Sequence, residues 1–173
     1  QEFLKITGDL KTLVKNFSPI LYRIAKAYLE AVPEYLTQTS NGLLWTGNEN
    51  TQITWMDAKV HGVPVTPRHG LAVEINALWY NALCFLDNIQ KHFSKEHQLS
   101  LKGHIKQLDN SFQKTFWIEE KGYLADVVND KGQDASLRPN QIFAISLPYT
   151  PIDQKHGKKI IASIEKELLT PEG

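Results

Sequence analysis

The stretch Gly42–Tyr80, GLLWTGNENTQITWMDAKVHGVPVTPRHGLAVEINALWY, joins two helical patterns through a long loop. Glycines and prolines interrupt the loop, which also carries tryptophans, acids, amides and an arginine. This composition suits a packed core poorly, but aromatic rings and polar groups together suit the lining of a sugar pocket. Rings stack on the C–H faces of a hexose, while carboxylates and amides bind its hydroxyls. We therefore expect the chemistry of the chain to lie in this stretch.

Apolar residues recur at helical spacing on both sides of the loop. Because Pro19 lies near the start of the first pattern, a separate helical turn is expected over 9–16, and the helix after it should end before Pro33. The loop itself includes a short extended piece over 59–66 with a turn at Gly62. No alternating strand longer than a few residues is found, so the expected fold class is all-α. The predicted helices cover 17–31, 75–93, 101–116, a stretch beginning near 138, and 160–169.

Composition excludes several classes of function. Nineteen basic and nineteen acidic residues cancel, so neither nucleic acid nor an anionic membrane is expected as a partner. No apolar run approaches the roughly 20 residues that span a bilayer. The single cysteine, Cys84, lies in an apolar run and fits a buried small side chain in a cytoplasmic protein. Histidine spacing gives no zinc site, and dinucleotide, P-loop and serine-hydrolase motifs are lacking, so no cofactor or metal is expected.

Asp57, in Thr54-Trp55-Met56-Asp57, is the strongest candidate for catalysis. A carboxyl group beside a tryptophan can be kept protonated by partial desolvation, and it can then donate its proton as a general acid. Cleavage of a glycosidic bond needs such an acid at the leaving oxygen. From the pattern alone, the alternative is that Asp57 caps the turn that leads into Lys59.

The other candidate residues each have a structural alternative. Glu74 opens a helix, where a carboxylate favours the positive helix end, but it could also bind substrate hydroxyls. Arg68 could hold a hydroxyl, although a lone loop arginine more commonly pairs with an acid. Trp45 and Trp55 could be core anchors, but they are interpreted as sugar platforms because neither lies on an apolar helical face. Two polar groups could meet across a pocket, namely Glu74, Asn76, Trp79 and Tyr80 at the start of one helix, and Asp126, Arg138, Asn140 and Gln141 further along.

Three stretches, LLWTGNENTQITWMDAKV, VTPRHGLAVEINALWYNAL and LRPNQIFAISLP, resemble the amylo-α-1,6-glucosidase domain of glycogen-debranching enzymes. The resemblance runs over nearly the whole chain in the same order. It implies an (α/α)6 toroid and the inverting hydrolysis of α-1,6-linked glucosyl stubs, with an α-glucan such as glycogen or limit dextrin as substrate. It makes Asp57 the general acid. The implied pocket residues are Trp45, Trp55, Arg68, Glu74, Asn76, Trp79, Tyr80, Arg138, Asn140 and Gln141.

The chain also departs from this family pattern. An inverting enzyme needs a second carboxylate as general base, roughly 6.5–9.5 Å from the acid. The resemblance places that base after the last helix of this chain, beyond a Trp-Pro segment that is not found here. The chain also begins at Gln1 without an initiator methionine and stops just after a helical pattern. Residues 1–173 are therefore expected to be a single central fragment of the catalytic domain, with about half of the barrel.

Half of a toroid would leave apolar helix faces uncovered. The isolated chain is therefore expected to associate with itself or another segment, or to be poorly stable, and to hydrolyse little or nothing. Two other functions remain open. One is a related toroid glycosidase of the glucoamylase or trehalase type, which substrate preference would distinguish. The other is a noncatalytic glucan-binding or interaction fragment, which is favoured by the lack of a base.

Overall fold

Short antiparallel strands lie between the helices in the computed structural model of this chain, which describes residues 1–31 and 34–172. About 51% of the residues are helical and 14% are in strands. The expected all-α fold, a partial (α/α)6 toroid, is therefore wrong, and the fold is mixed α/β. The strands are two or three residues long, too short to show the alternation by which a sequence reveals a strand. Pro33, before which the first helix was expected to end, lies outside the described residues.

The helices and strands have the following bounds. The helices are α1 (Glu2–Thr7), α2 (Leu10–Leu29), α3 (Val73–Ile89), α4 (Lys102–Phe116), α5 (Phe143–Ser146) and α6 (Gln154–Glu167), with 3-10 turns at Gln90–His92, Lys95–His97 and Pro139–Ile142. The strands are β1 (Leu36–Gln38), β2 (Leu44–Thr46), β3 (Lys59–Val60), β4 (Val63–Pro64), β5 (Leu71–Ala72), β6 (Trp117–Ile118), β7 (Tyr123–Leu124), β8 (Val127–Asn129) and β9 (Gly132–Asp134).

Helix α2 differs from its prediction because it runs unbroken through Pro19. The expected separate turn over 9–16 is instead its first part. Asp9 caps this helix, since its side chain accepts a hydrogen bond from the backbone N–H of Thr12 at 2.9 Å. A proline removes one backbone donor, and in this helix the loss is not enough to end it.

Two further predictions for local structure concern residues 59–66 and the helix expected to begin near 138. The extended piece over 59–66 is confirmed, because β3 pairs with β4 across a turn in which Gly62 has a φ of 80°. The helix expected to begin near 138 consists of the 3-10 turn followed by the four residues of α5. No helix within residues 1–31 and 34–172 has the length and apolar character needed to cross a membrane.

Helix α3 lies at the centre of the core and packs against α4. Leu83 on α3 and Leu108 on α4 are fully buried, and complete burial of such a side chain stabilises the fold by about 1.5–3 kcal/mol. Phe112 and Phe116 on α4 are also fully buried, with ring centroids 4.7 Å apart. The pair fixes the C-terminal half of α4 beneath the loops that follow it.

A three-stranded antiparallel sheet, β5-β8-β9, brings distant parts of the chain together. Leu71 of β5 pairs with Val128 of β8, and β8 pairs in turn with β9. Arg68 lies just before β5 and Asp126 immediately before β8. Since these strands are neighbours, Arg68 and Asp126 are brought within hydrogen-bonding distance of each other.

Close approach in this sheet depends on Gly70. Its φ of 110° lies in the region that favours glycine. A Cβ at this position would lie 2.6 Å from the carbonyl oxygen of Val128 and 2.8 Å from the Cβ of Asn129. Any other residue would therefore push β8 away from the chain that carries Arg68.

Candidate active site

Arg68 is the centre of a buried ion cluster with Glu74 and Asp126. The three residues are 2%, 3% and 2% exposed. The guanidinium donates to both carboxylate oxygens of Glu74, with 2.6 Å between Nη2 and Oε2. It also donates to Asp126, with 2.8 Å between Nε and Oδ2 and 3.2 Å between Nη2 and Oδ1. Burial alone would lower the pKa of Arg68, but the bonds to Glu74 and Asp126 outweigh it and raise the pKa, so Arg68 stays charged.

Local chain geometry explains why these groups meet. Glu74 lies in the first turn of α3, directly after β5, so its carboxylate is near the positive end of the helix. The backbone carbonyl of Asp126 accepts a hydrogen bond from the N–H of Val73 at 3.1 Å. Asp126 thus binds the start of α3 through its backbone and Arg68 through its side chain. The structural pairing that the sequence favoured for Arg68 is present.

Arg138 extends the cluster towards the surface. Its Nη1 donates to Oδ2 of Asp126 at 2.6 Å and to Oδ2 of Asp134 at 2.9 Å. Burial would lower the pKa of Arg138, but the bonds to Asp134 and Asp126 raise it. Burial would likewise raise the pKa of Asp134, but hydrogen bonds from Ser136 and Arg138 lower it. Two cations and three carboxylates therefore form one connected network.

Asn140 joins this network to the segment that carries Asp57. Its Nδ2 donates to Oδ1 of Asp126 at 2.7 Å and contacts the sulfur of Met56 at 3.6 Å. Its Oδ1 accepts a hydrogen bond from Nε1 of Trp55 at 2.8 Å. Asn140 is 2% exposed. Of the first polar group in the sequence prediction, Glu74 is joined to the second group through Arg68 and Asp126. Asn140 joins the second group to Trp55.

Asn76 and Gln141, two other candidate pocket residues, bind backbone groups. Asn76 is fully buried; its Oδ1 accepts from the N–H of Leu44 at 2.7 Å and its Nδ2 donates to the carbonyl of Leu44 at 3.1 Å. Gln141 accepts from the N–H of Leu124 at 3.0 Å. Asn76 thus binds β2 to α3, and Gln141 binds β7 to the 3-10 turn at Pro139–Ile142. Both side chains are buried.

Three aromatic candidates lie apart from the ion cluster. Trp45 is half-buried and its Nε1 donates to the carbonyl of Gly47. Trp79 is 6% exposed and packs against Tyr28, with ring centroids 5.5 Å apart. The hydroxyl of Tyr80 donates to Asp109 at 3.2 Å, and burial raises the pKa of Tyr80. Trp79 and Tyr80 therefore face α2 and α4 respectively.

Asp57 and Trp55 are exposed on the loop before β3, and 64% of Trp55 is accessible. In the described part of the chain, no group donates a hydrogen bond to the carboxylate of Asp57, so the turn-capping alternative has no bond to support it. Beside Trp55 is a cleft of about 430 Å³, a volume within the range of small-molecule sites. Its lining residues are Ile53, Thr54, Trp55, Glu74, Ile75, Leu78 and Phe143.

Sequence reasoning missed Asp134, Met56 and Phe143. Asp134 lies four residues before Arg138 in the chain, and that spacing of opposite charges was an available signal. Met56 lies between two residues that were singled out, but a thioether carries no obvious polar role. Phe143 belongs to an apolar run whose orientation towards the cleft depends on tertiary packing.

The chain is similar to proteins of a known family. The family model described as amylo-alpha-1,6-glucosidase matches residues 1–173. The chain belongs to the amylo-alpha-1,6-glucosidase family. The resemblance inferred from the motifs around Asp57 and Glu74 is thereby confirmed.

One curated relative is the glycogen debranching enzyme of Saccharomyces cerevisiae, which is 30% identical to this chain over 172 residues. The match covers 78% of the chain and 11% of the yeast protein. This member of the amylo-alpha-1,6-glucosidase family therefore spans about a tenth of the length of the relative it matches.

Proposed function

We propose that these residues form the acid-bearing part of an active site that hydrolyses α-1,6-glucosidic branch stubs of glycogen or limit dextrin. Asp57 donates the proton to the leaving oxygen. The observation that carries this proposal is the placement of an exposed carboxylate beside an exposed indole, Trp55, that is bound to the buried cluster through Asn140. Membership of the amylo-alpha-1,6-glucosidase family and the yeast relative support the substrate class.

Inverting hydrolysis requires a second carboxylate that accepts a proton from water on the opposite face of the sugar. Glu74 and Asp126, the buried carboxylates nearest the cleft, are both bound by Arg68 and nearly inaccessible to water. Neither is suited to act as that base, because its oxygens already accept hydrogen bonds from a cation. We place the base in other parts of a longer enzyme, of whose catalytic domain residues 1–173 are a central part. The isolated chain then binds glucan without turnover.

Trp55 is expected to be the main sugar platform of this site. Its ring is exposed, oriented by Asn140, and adjacent to a cleft that Ile75, Leu78 and Phe143 make largely apolar. An aromatic face at the mouth of such a cleft can stack on a hexose while the exposed Asp57 reaches the glycosidic oxygen.

Trp55→Ala is expected to weaken binding of a singly branched maltooligosaccharide to the chain by about tenfold, because the stacking surface is lost. Titration followed by tryptophan fluorescence measures this. Trp117→Phe, which removes a half-buried tryptophan at the end of α4, is the control for loss of one fluorophore and should bind as the unaltered chain does. Equal affinities for both variants would contradict the platform assignment, and glucose release by the isolated chain would contradict placing the base elsewhere.

We further propose that two copies of the isolated chain associate through an apolar face on α2 and α3. Phe17, Ile20 and Ile24 follow helical spacing on α2 and are 46%, 44% and 54% exposed. Beside them is a cleft of about 260 Å³ between the helices, lined in part by Leu78 and Trp79. Balanced charge gives no long-range repulsion between copies, and apolar faces of this kind favour association.

Ile24→Glu is therefore expected to convert a dimer to a monomer in sedimentation velocity at micromolar concentration. Ile161→Glu is the matched control, because Ile161 on α6 is an isoleucine of similar exposure, 46%, away from this face. A monomeric unaltered chain, or equal dissociation by both substitutions, would contradict the proposal.

A further inference from the structure

Asn140 is placed to orient other groups of the protein. It is 2% exposed, and both ends of its amide are engaged. An indole N–H only donates and an ionised carboxylate only accepts. The amide oxygen must therefore face Trp55 and the amide nitrogen must face Asp126, as observed at 2.8 and 2.7 Å. The amide therefore has one orientation.

Asp126, the acceptor of the bond from the amide nitrogen of Asn140, is itself bound by two arginines. Asp126 is bound by Arg68 and Arg138, and Arg68 is bound in turn to Glu74 at the start of α3. A chain of hydrogen bonds thus runs from a core helix to an exposed indole. Rigid support of this kind is what functional groups on loops need in order to keep a productive geometry.

The segment that receives this support lacks regular secondary structure. Residues 47–58 contain no helix or strand, and Trp55 is largely exposed, so packing alone fixes it weakly. Asn140 contacts two consecutive residues there, Trp55 and Met56, and Asp57 follows directly. We infer that Asn140 is a positioning residue that fixes Trp55 and Met56 on the buried cluster and thereby sets the position of Asp57. The kinetic part of this inference rests on the proposed function.

The first test needs no activity. In a nitrogen-15 spectrum of the chain, the indole N–H of Trp55 is assigned by its loss in Trp55→Phe. Despite the exposed ring, this proton should exchange slowly with solvent, and Asn140→Leu should accelerate its exchange by about tenfold because the acceptor is removed. Gln90→Leu is the matched control: Gln90 is a buried amide at the other end of α3 that bonds the backbone of Leu99. Unchanged exchange in Asn140→Leu, or equal acceleration in both variants, overturns the inference.

The second test uses the full-length enzyme with limit dextrin as substrate. Asn140→Leu should lower kcat by about 10²-fold with a smaller change in KM, since a displaced acid slows the chemical step. In the Trp55→Phe background, the same substitution should lower kcat much less, because the bond through which it acts is already gone. Additive losses in the double variant overturn the inference. A full-length enzyme without turnover contradicts the proposed function, whereas the exchange result stands independently.

Discussion

Asp57→Asn in the full-length enzyme is expected to reduce the rate of glucose release from limit dextrin by about 10³-fold, with little change in glucan affinity. General acid catalysis contributes about 10²–10⁴-fold, and an amide of nearly the same shape cannot donate a carboxylic proton to the leaving oxygen. The exposed position of Asp57 beside Trp55 leaves room for a sugar ring at this point. Glucose release measured enzymatically, together with glucan affinity from equilibrium binding, separates the two effects.

Glu49→Gln is the matched control for this prediction. Glu49 is an exposed acid on the same loop, so its substitution changes the local charge by the same amount without touching Asp57. Its rate should stay within about twofold of the unaltered enzyme. Equal losses in the two variants would show that loop charge, and not a proton from Asp57, supports turnover; an unchanged rate in Asp57→Asn would exclude Asp57 as the acid.

Arg68→Met is expected to lower the free energy of unfolding by about 3–5 kcal/mol, the usual effect of removing one partner of a buried ion pair. The substitution leaves Glu74 and Asp126 charged, buried and close to one another. Total stability of a domain is only about 5–15 kcal/mol, so the variant should be largely unfolded at modest urea concentration. Urea denaturation followed by circular dichroism measures the loss.

Two further variants test whether the loss of stability comes from the uncompensated charges of Glu74 and Asp126. Arg23→Met changes an exposed arginine on α2 and should alter the free energy of unfolding by less than about 0.5 kcal/mol. Adding Glu74→Gln and Asp126→Asn to Arg68→Met should recover part of the stability, because the uncompensated charges are removed. If Arg68→Met is as stable as Arg23→Met, the cluster does not stabilise the fold.

Helices were largely predictable from this sequence, and strands were not. The apolar spacing that predicts α3, α4 and α6 is local and spans several turns, so it is visible without tertiary information. A strand such as β5, with two residues, has no period to detect. It exists because Gly70 permits close approach to Val128 and Asn129, a condition set by residues far away in the chain. Short strands of this kind were enough to make the all-α expectation wrong.

Prediction of the candidate site was limited in the same way. Residue type singled out Arg68, Asp126 and Asn140, and one member of the first predicted polar group, Glu74, is joined to the second group through Arg68. Which atoms bond could not be predicted, because Arg68 and Asp126 are 58 residues apart and Trp55 and Asn140 are 85 apart. Tertiary packing decides such pairs, so sequence reasoning gave Asn140 a role as a pocket residue, whereas the structure engages both ends of its amide with other protein groups.

The bond between Trp55 and Asn140 also has a consequence for biosynthesis. Its two partners are separated by 85 residues of chain, and translation proceeds at about 5–20 residues per second. The segment around Asp57 is therefore synthesised about 4–17 s before its anchor. During that interval the loop lacks its bond to Asn140, and a chaperone that binds exposed aromatic segments would find Trp55 accessible.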